Sequence, residues 1–435
     1  MINDLFAGLV VIVIFIGVGA FTYSYFSQIK SVQSTTIIWR LSVWFLVGAG
    51  LTTLAQTILS LPGIPLSISL LLAGCVALLG LFRQRKMLVW GKESKERLTL
   101  SSISFWSIVV LLCGLFFFRS LSRVTYTWDS IAFWTPKMVG LFAENKVTKH
   151  ALIPFNHPEY PLMLPISGAD AMLVTGLPSD IAAKVVLFGY TLAFFGLFGS
   201  FLRKNTNEWL SIFWLLLLGT GFIFREHVAG EYVGTADIFV GIYMMAGSIM
   251  LLSKRPRIAL VMLLFLPWAK SEGLIFTLAT CGMMFILYPS LRKHILFLSV
   301  VFLAPWRFFV QYMQVDSSQY FKFSELYARP WMEYATYSVH AFREEFRNLS
   351  KWNLMFFFFL AESAVAVQKI LKNRELLIIY AALAAQLVAY LVIFTITPEE
   401  QASFIATAIS RLTLHLAPTI VVMASYLHGQ NSKNV

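Results

Sequence analysis

The stretch FAGLVVIVIFIGVGAF at positions 6–21 decides the fold. It carries no charged or amide side chain and no apolar–polar alternation, which argues against a barrel strand and for a helix built for lipid. A bilayer core offers no water to an unpaired N–H or C=O, so a chain living there folds into helices that satisfy their own backbone. The rest of the 435 residues agrees, with 58% hydrophobic and 13% charged and a mean hydropathy of +0.73. So little polar surface does not cover a water-soluble globule. The expected fold class is all-α, a polytopic transmembrane helical bundle.

Outward from that stretch, apolar runs of spanning length fall near 6–26, 40–60, 66–83, 103–120, 181–202, 208–224, 236–253, 273–289, 294–312, 352–368, 376–397 and 409–428. A shorter run at 258–269 makes a thirteenth, so the expectation is twelve to thirteen spans. The first run lacks a basic leader and ends in Tyr23-Ser24-Tyr25-Phe26, which reads as a retained helix and a mature chain starting at Met1. The simplest division is an N-terminal three-helix module over 1–100 and a main membrane domain over 101–430.

A net charge of +12 does not point to nucleic acid here, because cations of helical membrane proteins gather in cytoplasmic loops against anionic lipid. Those loops are Arg83, Arg85, Lys86, Lys92, Lys95 and Arg97; Lys254, Arg255 and Arg257; Arg292 and Lys293; and Lys369, Lys372 and Arg374. All fall on one side only if 258–269 crosses the membrane, which puts the N-terminus outside and the C-terminus in the cytoplasm. Cys75, Cys113 and Cys281 sit in apolar segments at unrelated spacings, so neither a disulfide framework nor a zinc site is indicated.

The chemistry then collects on the opposite, extracytoplasmic side. Thr125-Tyr126-Thr127-Trp128-Asp129-Ser130-Ile131-Ala132-Phe133-Trp134 ends the fourth span. Asp129 there is either the N-cap of a helix over 130–142 or a partly desolvated general base. In Asn156-His157-Pro158-Glu159-Tyr160-Pro161-Leu162-Met163-Leu164-Pro165, three prolines within eight residues predict a structured loop feeding a short surface helix. His157 and Glu159 either brace that loop or share a site.

Between two later spans, Glu226, Glu231 and Asp237 lie within one short segment, read either as a solvated turn or as acids facing Asp129; a carboxylate opening a span, as Asp237 does, faces a cavity or a partner. Leu266-Pro267-Trp268-Ala269-Lys270-Ser271-Glu272-Gly273 breaks an apolar region. Lys270 and Glu272 there form an internal ion pair, or Lys270 meets a phosphate whose charge grows as a bond to it breaks. Arg411 and His415 stand one turn apart on a late span, and Arg is shaped for bidentate phosphate binding unless it merely snorkels. The loop 313–351 interleaves aromatic rings with Lys322, Arg329, Arg343 and Arg347, an amphipathic segment able to lie on the membrane.

In order and spacing, these windows resemble the GT-C superfamily of membrane glycosyltransferases, in particular the protein O-mannosyltransferase and aminoarabinose-transferase-like group. The resemblance runs from about residue 103 to 418 and rests on Asp129, on the segment from His157 to Pro161, on Asp237, on the Lys270-to-Gly273 break and on Arg411. Two places depart from the pattern: Glu159 replaces the second Pro of the usual segment, and Ser130 stands where a second acid is common. Sugar and acceptor identity therefore do not carry over.

The resemblance implies a GT-C-like domain and an inverting glycosyltransferase. Its donor is a sugar on polyprenyl or dolichyl phosphate, and its acceptor is a lipid, glycan or protein on the periplasmic or lumenal side. It implies Asp129 as base, Lys270 and Arg411 as donor-phosphate ligands, and His157, Glu159, Glu226, Glu231, Asp237 and Glu272 as substrate contacts. No cofactor is expected; two acids with His157 leave room for a divalent ion that the scheme does not require, and no metal ligands are assigned. The alternative is a transporter or flippase for a lipid-linked or polar solute, since broken helices with charges also mark transport sites.

Overall fold

Apolar periodicity becomes helix throughout the computed structural model, which describes residues 1–26, 36–88, 99–125, 127–152, 154–155, 157–312, 314, 330–397 and 400–431. Among the described residues there is no strand. The labelled elements are α1 (Ile2–Phe26), α2 (Ile37–Ser60), α3 (Leu66–Leu88), α4 (Leu100–Ser122), α5 (Thr135–Glu144), α6 (Met163–Thr175), α7 (Asp180–Asn205), α8 (Glu208–Gly219) and α9 (Phe222–Ala229). They continue as α10 (Asp237–Leu252), α11 (Pro256–Ala269), α12 (Ser271–Leu287), α13 (Arg292–Tyr312), α14 (Trp331–Arg347), α15 (Met355–Val365), α16 (Val367–Lys372), α17 (Arg374–Ile396) and α18 (Gln401–Asn431).

Eight of the described helices are long and apolar enough to cross a membrane, and α8 with α9 makes a ninth only as a pair bent by 73°. The protein is thus a multi-pass membrane helical bundle. The other runs form shorter apolar helices, α10, α11, α12 and α15. They are short for a local reason: Pro256, the Lys270-to-Gly273 break and the turn at Ala366 divide the apolar runs before twenty residues accumulate. The helix expected at the surface after the proline-rich loop is enclosed instead, because Met163 to Met172 of α6 are all buried. Its run of apolar and small residues has no polar face to turn outward.

α1 and α2 meet backbone to backbone. A methyl on Gly19 would collide with the Trp44 carbonyl, and one on Gly48 with the Phe15 carbonyl, which is how helices associate where lipid removes the hydrophobic driving force. α2 is in turn tied to the rest of the bundle. Gln56 donates to Asp170 of α6 at 2.7 Å, Tyr243 of α10 donates to the Leu46 carbonyl at 2.8 Å, and Trp268 of α11 donates to Thr53 at 3.0 Å.

The chain's path fixes two ends. α10 starts at Asp237, and α11 brings the chain back so that Lys270 stands 2.8 Å from Asp237. α12 leaves again for Tyr288, whose hydroxyl donates to Glu375 at the start of α17, 2.9 Å away, while Lys254 beyond α10 meets the same carboxylate. At about 1.5 Å per residue, α10 alone separates the two ends by roughly 20 Å. The short run 258–269 therefore carries the chain from one end to the other.

Candidate functional site

α4 ends at Ser122, and the chain reforms as a π-helical turn over Ser130–Trp134 that runs into α5. Thr127 donates to Ser130 at 2.9 Å, and Ser130 donates to the Val233 carbonyl at 3.3 Å, pinning this turn to the segment before α10. Asp129 stands at the start of the turn but makes no side-chain cap. Its carboxylate instead pairs with Arg411 of α18. Of the two readings the sequence left open, capping is thus excluded by geometry.

Arg411 holds a second acid. Its Nε lies 3.2 Å from Asp237, whose other oxygen meets Lys270 at 2.8 Å and His415 Nε2 at 3.2 Å. Lys270 also reaches Glu272 at 2.9 Å, so the internal pair expected from the sequence exists and is one link of a longer chain. Asp129, Arg411, Asp237, Lys270, Glu272 and His415 form one cluster. A carboxylate buried as Asp237 is, at 0% exposed, persists only with partners of this kind.

The break at Lys270 is satisfied locally. Thr277 donates to the Leu263 carbonyl at 2.7 Å, and Gln386 of α17 donates to the Glu272 carbonyl at 2.9 Å while accepting from the Phe276 amide at 2.8 Å. Freed backbone groups thus find protein partners, which is the condition for irregular chain at this depth.

The proline-rich loop brings the next residues. His157 has a left-handed backbone (φ 55°) and lies 3.2 Å from Glu159, and its ring stacks on Tyr160 with centroids 4.7 Å apart. Lys270 stands 5.8 Å from the centre of the Tyr160 ring, with Lys137 at the same distance. Trp306 of α13 donates to the Glu159 carbonyl at 3.1 Å. His157 and Glu159 therefore border the cluster through Tyr160.

Glu226 does not join it. It ties α9 to α4 through Arg119 at 2.5 Å and accepts from the Glu231 amide at 3.3 Å, so it braces a corner of the fold. Glu231 is half-buried beside it. Tyr126, Asn156 and the part of the aromatic loop over 315–329, with Lys322 and Arg329, lie outside the described residues. The rest of that loop is the amphipathic helix α14, with Trp331, Met332, Tyr337 and Val339 outward. It is anchored next to the cluster, because Glu345 accepts from Ser410 at 2.7 Å and from Trp352 at 2.9 Å and pairs with Lys351 at 2.8 Å.

Comparison with protein-family models, with curated proteins and with solved structures finds no match for this chain. What the site can do follows from its own geometry. Its rim is reachable, with side chains of Asp129, Arg411, Glu272, Glu159 and His157 between 15% and 22% exposed, whereas Lys270 at 2% and Asp237 at 0% form its floor. Burial raises the Asp129 carboxyl above its usual range; the Arg411 charge opposes that shift and Asp237 adds to it. Such a carboxylate accepts a proton more readily than an ordinary surface acid.

Three residues escaped the sequence reading. Lys137 is wholly buried on α5, donates to the His157 carbonyl, and is pulled down to about 7 by burial, with Glu159 opposing. Tyr160 is the ring joining the loop to the two lysines. His227 stacks on Tyr232 with centroids 4.6 Å apart, and its Nδ1 is 2.9 Å from the Ile223 carbonyl. That bond puts the hydrogen on Nδ1, so the buried Nε2 is an acceptor, and among the described residues it has no partner. The π-turn's Trp134 Nε1 and Glu272 Oε2 are likewise buried and, among the described residues, unpartnered. No spacing rule announces any of these, because each is made by a contact between distant segments.

Proposed function

We propose that the protein is a membrane glycosyltransferase that moves a sugar from a polyprenyl-phosphate-linked donor to a hydroxyl or amine of an extracytoplasmic acceptor. One observation carries this reading: a single guanidinium, Arg411, is shared by Asp129 at the rim and Asp237 on the floor. An inverting displacement needs a base for the acceptor proton beside a cation for the leaving group, and this arrangement supplies the two in contact.

In the reaction, the acceptor oxygen or nitrogen attacks the anomeric carbon, its proton goes to Asp129, and the bond to the phosphate oxygen breaks with its electron pair leaving on the phosphate. Arg411 retains donors beyond those spent on the two acids, since a guanidinium carries five. Donor phosphate arriving at Arg411 competes with Asp129 for it. The same event thus seats the leaving group and frees the base. Lys270, enclosed between Asp237 and Glu272, fixes the floor against which Arg411 is oriented and adds positive charge behind the phosphate.

A greasy donor also explains why such a cluster sits in a bundle of apolar helices rather than in a soluble domain. Cluster and C-terminal end lie on opposite faces in this reading, with Lys254, Lys369, Lys372 and Arg374 marking the cytoplasmic one. The test is transfer from a synthetic short-chain polyprenyl-phosphate sugar by the purified protein. Asp129→Asn is expected to lower the rate by roughly 10²–10⁴-fold while leaving the thermal transition in place; a fully active, folded variant removes the base and with it the proposal.

A further inference from the structure

The end of the bundle away from Asp237 holds a cavity of about 740 Å³, lined among others by Lys254, Lys369, Lys372, Arg374 and Glu375. Four cations and one carboxylate thus line it. Glu375 is itself buried and already committed to Lys254 at 2.5 Å, Arg374 at 3.1 Å and the Tyr288 hydroxyl at 2.9 Å. Among the described residues Lys369 and Lys372 have no acidic partner, so the cavity keeps an uncompensated positive charge. The start of α17 adds to it. Asn373 caps that helix by accepting from the Glu375 and Leu376 amides, and the first turn of a 23-residue helix presents the positive end of its dipole.

We propose that this cavity binds the phosphate headgroup of an anionic phospholipid. Charge complementarity selects the phosphate, and the apolar surroundings select the lipid. Val365, on the cavity wall, is 78% exposed, and Val367 and Leu371 on α16 are 49% and 65% exposed. α15 is an apolar helix that ends at Val365, so an exposed apolar flank adjoins the lysines. Free phosphate has no use for that surface, whereas a lipid fills cavity and flank together. The volume suits a headgroup, since ligand sites run from about 300 to 1,000 Å³, and basic pockets between helices at the cytoplasmic boundary meet a leaflet rich in anionic lipid. The site is independent of the chemistry at Asp129, and its failure would leave that chemistry standing.

The experiment uses the full-length protein in nanodiscs of phosphatidylcholine doped with photoactivatable phosphatidylglycerol. Wild-type protein is expected to crosslink phosphatidylglycerol on peptides covering 365–375 in preference to a photoactivatable phosphatidylcholine. Lys369→Gln with Lys372→Gln is expected to cut that preference about 25-fold, near fivefold per charge lost, while Lys369→Arg with Lys372→Arg keeps it. Inorganic phosphate at millimolar concentration is expected not to compete. The proposal is overturned if wild-type protein shows no headgroup preference, if crosslinks map only elsewhere, if the glutamine pair crosslinks like wild type, or if inorganic phosphate displaces the lipid.

Discussion

The two ends of α10 treat charge in opposite ways. At Asp237 the charges are interlocked: two cations and a histidine converge on one fully enclosed carboxylate. At Lys254 the single acid, Glu375, is enclosed but its cations are not, with the Lys254 and Arg374 side chains 61% and 55% exposed. Ion pairs in water contribute little, while removing one partner of an enclosed pair strands the other. One end is therefore rigid by electrostatic necessity, and the other is an open basic surface that can exchange partners.

Asp237→Asn breaks the first end and is expected to have the largest effect, about 3–5 kcal/mol of stability, because Lys270 loses one of its two acids while remaining enclosed. The readout is the thermal transition of purified protein in detergent; an unchanged transition would mean that water, not Asp237, compensates this cation. Arg411→Gln probes the same end through activity. It is expected to cost roughly 10²–10³-fold in transfer and to move the acidic limb of the pH–rate profile upward, since burial and Asp237 then meet only the weaker opposition of Lys270 and His157 at Asp129. A limb that stays in place would show that Asp129 is not the titrating group.

Glu375→Gln at the other end is expected to cost only about 1 kcal/mol, because its lysine and arginine turn to water and the amide still accepts from Tyr288. A loss as large as that of Asp237→Asn would erase the contrast between the ends. A pH dependence sharpens the border of the cluster. Lys137 binds its proton at about 7 in the fold against an ordinary 10.5, so between those values the unfolded chain holds more protons and stability rises with pH. Lys137→Met is expected to flatten that rise in thermal melts recorded from pH 7 to 10; an unaltered slope would show that Lys137 stays charged in place.

What could be read in the chain beforehand follows from which forces are local. Apolar runs such as 6–21 and 376–397 depend only on neighbours in sequence, and each became a helix. Asp129, Asp237, Lys270 and Arg411 stood out because charge within apolar sequence is costly wherever it falls, and the fold brings all four together. Their pairing was not legible, since it is fixed by α18 crossing α10. Glu226 shows the limit: the same cost argument flagged it, yet Arg119, far away in sequence, claims it for bracing. Lys137 was passed over because a lysine on a short polar-flanked helix looks solvated until Phe133, Trp134 and Tyr160 close around it.

The π-helical turn at Ser130–Trp134 has one further consequence. Such a turn holds one residue more than an α-helical turn and commonly marks a functional position. Deleting a single residue within it would let the segment relax into regular winding with Asp129 close to its present facing, whereas the same deletion in the regular part of α5 would swing the acid by about 100° relative to the rest of that helix. The turn thus stores one residue of slack beside this acid, so a one-residue excision there is expected to be tolerated better than the same excision within α5.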